Sequence, residues 1–401
     1  MTRTRRSGAL TLGPILTMAA IAAAPAQAQT YTYKELHNFA GSPADGAHPL
    51  GRPIRDSEGS LYGTTGGGGA WASGTVFKLA ATGAETVLYS FTGGADGGAP
   101  GAALVRDPDG NFYGTTGGGG MSTCYLGNSP CGVVFELSTS GAETVLHSFA
   151  GGVDGESPEV GLVRDAAGNL YGTTEFGGVP GAGVVFKVDT SGTETVLYSF
   201  TGGADGGYPE AGLVRDSAGN LYGTTNNGGP SGAGVVFKLD AKGTETVLYA
   251  FTGGTDGGNP EAGLIRDAEG NLYGTTVDGG LTTNSGYGVV FKLDTSGTET
   301  VLYSFTGGTD GANPYAGLVR DPAGNLYGTT YGGGRRFGNN GFGVVFEIGA
   351  DGTETVLHTF KGRAGGAHPR AALIRDSKGN LYGTTVDGGT SGNGVVFKLT
   401  P

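Results

Sequence analysis

The sequence predicts an all-β fold, a seven-bladed β-propeller of four-stranded antiparallel blades. Three observations predict it. The tetrapeptide Tyr-Gly-Thr-Thr occurs seven times, at Tyr62, Tyr113, Tyr171, Tyr222, Tyr273, Tyr327 and Tyr382, with spacings of 51, 58, 51, 51, 54 and 55 residues. Each unit holds four short runs rich in Val, Leu, Tyr, Phe and Thr, separated by Gly, Asn, Asp and Ser, the pattern of strands joined by close turns. The seventh unit stops one run short, and the missing run stands at the other end of the chain. Repeats of this length with four strands each indicate propeller blades, whereas a β-helix needs shorter rungs.

In chain order, residues 1–28 read as a secretory signal peptide. Arg3, Arg5 and Arg6 are followed by an apolar run from Ala9 to Ala24 and the small-x-small site Ala26-Gln27-Ala28. The expected mature protein is exported, periplasmic or extracellular, without a membrane span. Removing this segment takes away three positive charges and leaves 21 Lys+Arg against 36 Asp+Glu. Such an acidic chain is not expected to bind nucleic acid, which needs a positive stripe. The 85 glycines recur within the unit, so neither a collagen period nor a low-complexity chain accounts for them.

Residues 30–401 are expected to form one domain of seven 51–58 residue repeats. Tyr33-Lys34-Glu35-Leu36-His37-Asn38-Phe39 matches the fourth run of the other units at its Leu and Phe. It is expected to complete the last blade beside residues 395–399, closing the ring and leaving no open end blade. Within a unit, the first run is Ala211–Asp216, the second follows Asn220, the third is Gly234–Leu239 and the fourth Thr244–Phe251. Two connections are tight turns opened by Asp and closed through Gly. Strands apolar on consecutive positions, as in Val235-Val236-Phe237, imply a sheet covered on both faces.

The loop between the second and third strands carries the length variation. It has 10 residues in units one, three, four and seven, 17 in unit two, 13 in unit five and 14 in unit six. It shares a face with the fourth-to-first connection, and variable loops on a rigid scaffold are where binding usually sits. Cys124 and Cys131, the only cysteines, lie in the 17-residue loop, where a pair in an exported protein reads as a disulfide.

Asp45, Asp96, Asp154, Asp205, Asp256 and Asp310 recur in the fourth-to-first loops, with Gly365 in the seventh. They could form a ring of carboxylates near the axis for Ca²⁺, a hard ion that takes 6–8 oxygens. Repeated Asp-Gly turn chemistry is the favoured reading. Arg-Asp ends the first strand of every unit, at Arg55-Asp56, Arg106-Asp107, Arg164-Asp165, Arg215-Asp216, Arg266-Asp267, Arg320-Asp321 and Arg375-Asp376. Seven identical copies suit a structural role, a blade-to-blade bridge or turn cap.

Departures from symmetry point to binding. Neighbouring units six, seven and one carry Tyr331, Arg335, Arg336, Phe337, Arg363, His368, Arg370, His48 and Trp71, the only tryptophan. Together these would make a basic, aromatic patch for an anionic saccharide or other acidic ligand, against the reading of scattered solvated loop residues. His37, His147 and His358 replace the fourth-strand Tyr and are expected to be packing residues. Glu159, Glu210 and Glu261 follow the loop Pro in units three to five; paired carboxylates suit acid–base work, but nothing in the sequence selects two of them. No nucleophile elbow, zinc-protease or Walker motif is present, so the sequence leans away from an enzyme.

The text Leu-Val-Arg-Asp-x-x-Gly-Asn-Leu-Tyr-Gly-Thr-Thr, then Gly-Val-Val-Phe-Lys-Leu, then Glu-Thr-Val-Leu-Tyr-Ser-Phe resembles the GloVer, or Gloeobacter/Verrucomicrobia, tandem repeat over essentially the whole mature chain. The resemblance implies an exported bacterial protein and transfers no catalytic residues. Some members carry C-terminal surface-sorting segments, which Lys398-Leu399-Thr400-Pro401 does not resemble. The unit order is more loosely similar to NHL-type propeller repeats, where binding is commoner than catalysis. The expected function is a monomeric binding module for a glycan or an exported protein, acting through the loop face. The alternatives are a hydrolase or lyase acting on a polysaccharide or lactone through loop carboxylates, with Ca²⁺ possible, and a structural envelope protein.

Overall fold

A computed structural model of the 401-residue chain describes residues 1–2, 30–120, 131–281, 286–334 and 341–401. The chain divides by its contacts into Met1–Thr30, of which only Met1, Thr2 and Thr30 are described, and Tyr31–Pro401. The second unit is a seven-bladed propeller of four-stranded antiparallel sheets. Blade four shows the plan: Val214–Arg215, Leu221–Thr225, Val235–Leu239 and Glu245–Ala250 pair in that order. Among the described residues, helix is confined to two 3₁₀ turns, Gly152–Asp154 and Arg363–Gly365. None is long and apolar enough to cross a membrane.

Thr32–Asn38 pairs antiparallel with Val395–Thr400, from Thr32 opposite Thr400 to Asn38 opposite Val395. The first residues of the propeller therefore supply the outer strand of the last blade. The first strands are shorter than their apolar runs suggest. Of Ala211–Asp216 only Val214–Arg215 is strand. The preceding residues face other blades rather than a ladder partner: a Cβ on Gly212 would lie 3.2 Å from the Gly161 carbonyl oxygen, and one on Gly263 would lie 3.3 Å from that of Gly212.

The core lies in the seams between blades. Val235, Val236 and Phe237 are fully buried, as are their counterparts in the other blades. At each seam a fourth-strand Phe meets a third-strand Phe of the next blade edge to face, as Phe200 meets Phe237 at 5.0 Å and Phe39 meets Phe77 at 5.2 Å. A buried Phe is worth about 1.5–3 kcal/mol, and an edge-to-face pair adds about 0.5–1.5 kcal/mol. The repeated polar text is absorbed by the same seams. Asp216 accepts from Asn220 N–H, Asn220 Nδ2 and the Tyr222 hydroxyl at 2.8–3.1 Å, closing the tight turn. Arg266 of the next blade stacks over Tyr222 at 5.8 Å, and Arg55 stacks over Tyr382 at 5.6 Å to close the circle. Thr224 Oγ1 donates across the seam to the Ala262 carbonyl at 3.3 Å.

Candidate functional site

The fourth-to-first connection of every blade ends in X-Pro, and X is never glycine. These residues are His48, Ala99, Ser157, Tyr208, Asn259, Asn313 and His368, and all seven have φ between 52° and 57°. A non-glycine residue in this left-handed region costs of order 1–3 kcal/mol and persists only where its surroundings enforce it. Two backbone hydrogen bonds do so. In blade four the Tyr208 N–H donates to the Ala182 carbonyl of blade three at 2.8 Å, and the Tyr208 carbonyl accepts from Asn226 N–H at 3.0 Å. Equivalent bonds hold the other six.

This latch aims the residue after each proline at the axis. The seven are Leu50, Gly101, Glu159, Glu210, Glu261, Tyr315 and Arg370, and all line one cavity of about 170 Å³ at the channel mouth. Ser157 and Glu175 join them; Glu175 follows Tyr-Gly-Thr-Thr in blade three, where blades one and two have Gly66 and Gly117. A second cavity of about 280 Å³ shares these post-proline residues and adds Arg52, Ala103, Gly161, Gly212, Gly263, Gly317 and Ala372. The scaffold is nearly repeated, but this lining is not.

Four carboxyl groups, Glu159, Glu175, Glu210 and Glu261, therefore face one small volume. Burial first, then the charges of Glu210, Glu159, Glu261 and Glu156, push Glu175 up to about 7. Burial, then Glu210, raises Glu261 to about 7 against the opposing effect of Arg370. Glu159 and Glu210 are raised by burial and partly relieved by Arg370. Asn226 Nδ2 donates to Glu210 at 3.0 Å and to Glu261 at 3.3 Å, and Asn259 Nδ2 fixes the Asn226 amide by donating to its Oδ1 at 3.1 Å.

A chain of contacts runs from there towards blade one. Arg370 Nη2 lies 3.5 Å from Glu261 Oε2, and its guanidinium sits 4.6 Å over the Tyr315 ring. Tyr315 meets Tyr331 at 5.3 Å, and Tyr331 stacks on His368 at 4.6 Å. His368 Nδ1 lies 2.9 Å from Asp387, and His48 Nδ1 lies 3.7 Å from the same carboxylate. The arrangement offers charged acceptors, charged donors and aromatic faces around one opening.

The sequence profile of the Gloeobacter/Verrucomicrobia repeat matches residues 23–218, 122–286 and 212–401. The chain belongs to the Gloeobacter/Verrucomicrobia repeat family. No curated protein matches it. Among solved structures, this family member is similar to a chain of the mitotic checkpoint complex, with 13% identity over 97% of this chain and 98% of that one and a TM-score of 0.56. It is also similar to the extracellular domain assigned to a one-component system of B. thetaiotaomicron, with 11% identity, 91% of this chain covered and a TM-score of 0.55. The repeat protein spans 40% of that chain's length. A protein assigned as a 6-phosphogluconolactonase from Bacteroides uniformis aligns at TM-score 0.47, with 16% identity over 82% of this chain and 85% of its own. The first two likenesses show the propeller fold alone.

The residues singled out in this repeat protein's sequence are divided by the structure. Tyr331, His368 and His48 are linked to Arg370 by the chain of contacts through Tyr315 and Asp387, and of the four only Arg370 lines the axial cavity, 3.5 Å from Glu261. Trp71 stands apart, 65% exposed in the blade-one loop, and does not line the cavity. Arg363 lies exposed in the 3₁₀ turn Arg363–Gly365. Arg335, Arg336, Phe337 and Cys124 lie outside the described residues; Cys131 is fully buried.

The loop aspartates lie beside the outermost strands, not near the axis. Asp96 accepts from Tyr89 OH at 3.1 Å and Thr92 N–H at 2.8 Å, and Asp205 and Asp256 repeat this. Asp310 accepts likewise from Tyr303 and Thr306. His37 and His147 are more than packing residues: their Nε2 atoms lie 3.1 Å from Asp45 and 3.5 Å from Asp154. His37, Asp45 and Glu85 bring their ligand-capable atoms within 4.8 Å of one another, the geometry by which the described residues could hold a cation. Glu175, Asn226 and Tyr315 escaped the sequence reading. Aligning the seven units on their loop Pro and reading the next position as one column would have found Tyr315 together with the three glutamates and Arg370.

Proposed function

We propose that this protein is an exported binding module that takes a polar ligand at the axial mouth of its loop face. One observation carries the reading. Seven geometrically equivalent post-proline positions hold Leu50, Gly101, Glu159, Glu210, Glu261, Tyr315 and Arg370 around one cavity, while the residues building the blades repeat almost unchanged. A structural role would repeat with the scaffold. Largely pre-formed concave sites with a few convergent polar groups are where small ligands bind. A glycan, or a segment of another exported protein, supplies hydroxyl, amine or carboxyl groups for such a lining. Export itself rests on residues 1–28, of which 3–28 lie outside the described residues.

The test is a thermal-shift and calorimetric screen of the mature protein and of a Glu210→Gln/Glu261→Gln/Arg370→Gln variant. A ligand at 100 times its Kd adds about 2.7 kcal/mol to the native state. The expected outcome is a ligand whose shift is lost in the variant, with the unliganded melting temperature within a few degrees of wild type. Equal binding by both proteins would remove the site from the axis. A second reading, hydrolysis, is favoured by the same carboxyls. Glu175 and Glu261, held near 7, are poised to exchange protons at neutral pH. Turnover of a polysaccharide or lactone, abolished by Glu261→Gln, would select that reading.

A further inference from the structure

The polar groups of the axial cavity are not mixed at random around the ring. The glutamates Glu159, Glu210 and Glu261 occupy blades three, four and five, and Glu175 adds a fourth carboxyl in blade three. The cations are Arg370 of blade seven and Arg52, which enters the channel just before the first strand of blade one. In a seven-membered ring the position opposite blade four is the boundary of blades seven and one. By blade position the lining is therefore acidic on one side and basic on the other, with the Arg370 side chain reaching back to within 3.5 Å of Glu261.

Arg52 is the least explained of these groups. Its six equivalents are Ala103, Gly161, Gly212, Gly263, Gly317 and Ala372, so every other blade leaves this level of the channel bare. Among the described residues its guanidinium has no ion pair or hydrogen bond, and the side chain is exposed to the channel. In blade three, the carboxyls of Glu159 and Glu175 likewise have no hydrogen-bond partner among the described residues. Glu159 lies where a Cβ on Gly117 would collide with its Oε1, so the glycine leaves the room that lets the carboxylate extend over the opening. Arg52 and Glu159 are exposed to the channel, where each is free to pair with an incoming group, and a ligand carrying both signs would meet both at once.

We infer that the ligand is a small zwitterion, an amino acid or short peptide, with its ammonium against Glu159, Glu175 and Glu210 and its carboxylate against Arg52 and Arg370. This rests on the axial site proposed above. A divalent cation suits the lining less well, because Arg370 already stands 3.5 Å from Glu261 and Asn226 holds Glu210 and Glu261 in hydrogen bonds. A neutral sugar would leave Arg52 and Glu159 without ionic partners.

The experiment is isothermal titration calorimetry on the mature protein at pH 7.5. The probes are glycine, γ-aminobutyrate and glycylglycine, compared with n-butylamine, butyrate, glucose and calcium chloride. At least one zwitterion is expected to bind about tenfold more tightly than either single-charge analogue, since a site built for a polar group rejects ligands lacking it. Arg52→Gln is expected to remove that advantage over butylamine, and Glu210→Gln the advantage over butyrate. Circular dichroism and melting curves confirm that each variant is folded. If glucose or calcium binds, is weakened by the axial variants, and every zwitterion is inert, the zwitterion inference falls and the axial site stands. If no probe depends on Arg52, Glu210 or Arg370, the axial reading falls with it.

Discussion

Gly234 shows how single residues carry the propeller. It precedes the third strand of blade four at φ +90°, and a Cβ there would meet the Thr225 carbonyl oxygen and lie 2.7 Å from Pro260 Cδ of the next blade. Its six equivalents face the neighbouring loop proline in the same way, from Gly183 against Pro209 to Gly394 against Pro49. Gly232, two residues earlier, also has positive φ (+73°), but a Cβ there would have nothing within 4 Å. Gly232→Ala therefore isolates the backbone cost, and Gly234→Ala adds the collision. Urea denaturation should show Gly234→Ala losing stability beyond Gly232→Ala by about 1–3 kcal/mol, the size of an overpacked contact. Equal losses would mean that blade four yields to the proline. Gly223 is fixed for another reason, since its Cβ would lie 2.7 Å from Phe237 Cζ; this explains the glycine in Tyr-Gly-Thr-Thr.

At the scale of elements, the outer seams set the response to pH. In five seams a fourth-strand glutamate, Glu85, Glu143, Glu245, Glu299 or Glu354, is raised to about 7, first by burial and then by the neighbouring loop aspartate. Glu194 is raised by the same burial, offset by His147. Their Oε1 atoms have no hydrogen-bond partner. A carboxyl whose folded pKa lies above its unfolded value binds protons more tightly when folded. Its contribution is present below the unfolded value of about 4.3 and is lost as pH rises through about 7. The turn aspartates Asp56, Asp107, Asp165, Asp216, Asp267 and Asp376 are lowered, burial opposed and outweighed by hydrogen bonds, so their contribution fades as pH falls through their folded values. The melting temperature should be higher at pH 5 than at pH 8 and fall again in stronger acid. Glu245→Gln beside Asp205 and Tyr198 should stabilise at pH 8 by roughly 1 kcal/mol after solvent screening, and by less at pH 5. A variant gaining equally at both values would contradict the titration. The seventh seam has changed all three partners together: Gly365 stands for Asp, His358 for Tyr, and Tyr33 for Glu. Tyr33 stacks on His358 at 4.2 Å and donates to the Gly365 carbonyl at 3.1 Å. Burial lowers His358 to about 4, which keeps that seam uncharged.

At the scale of the whole molecule, closure depends on one strand from the start of the domain. Deleting residues 1–39 would remove the Phe39–Phe77 and Tyr33–His358 contacts and expose the Val395–Thr400 edge. The shortened protein should melt markedly lower and self-associate on gel filtration. A peptide of residues 30–39 added in trans should reverse both; unchanged melting would mean that the closing strand is dispensable. This closure was legible in the sequence because strand count and matching Leu and Phe positions are local text. The axial site was only half legible. Glu159, Glu210, Glu261 and Arg370 stand out as letters, but their meeting depends on a ring that brings residues over 200 positions apart onto one axis. Charge in a sequence has no partner attached: that Arg370 stands beside Glu261, and His48 and His368 beside Asp387, is visible only in three dimensions. The left-handed residue before each loop proline is locked by main-chain bonds that take no notice of its side chain, and it can be His, Ala, Ser, Tyr or Asn. The position after the proline is equally free, from glycine to arginine. Recognition and foldability are thus written in separate alphabets, so new specificities can arise by point changes at the mouth without renegotiating the ring of blades beneath it.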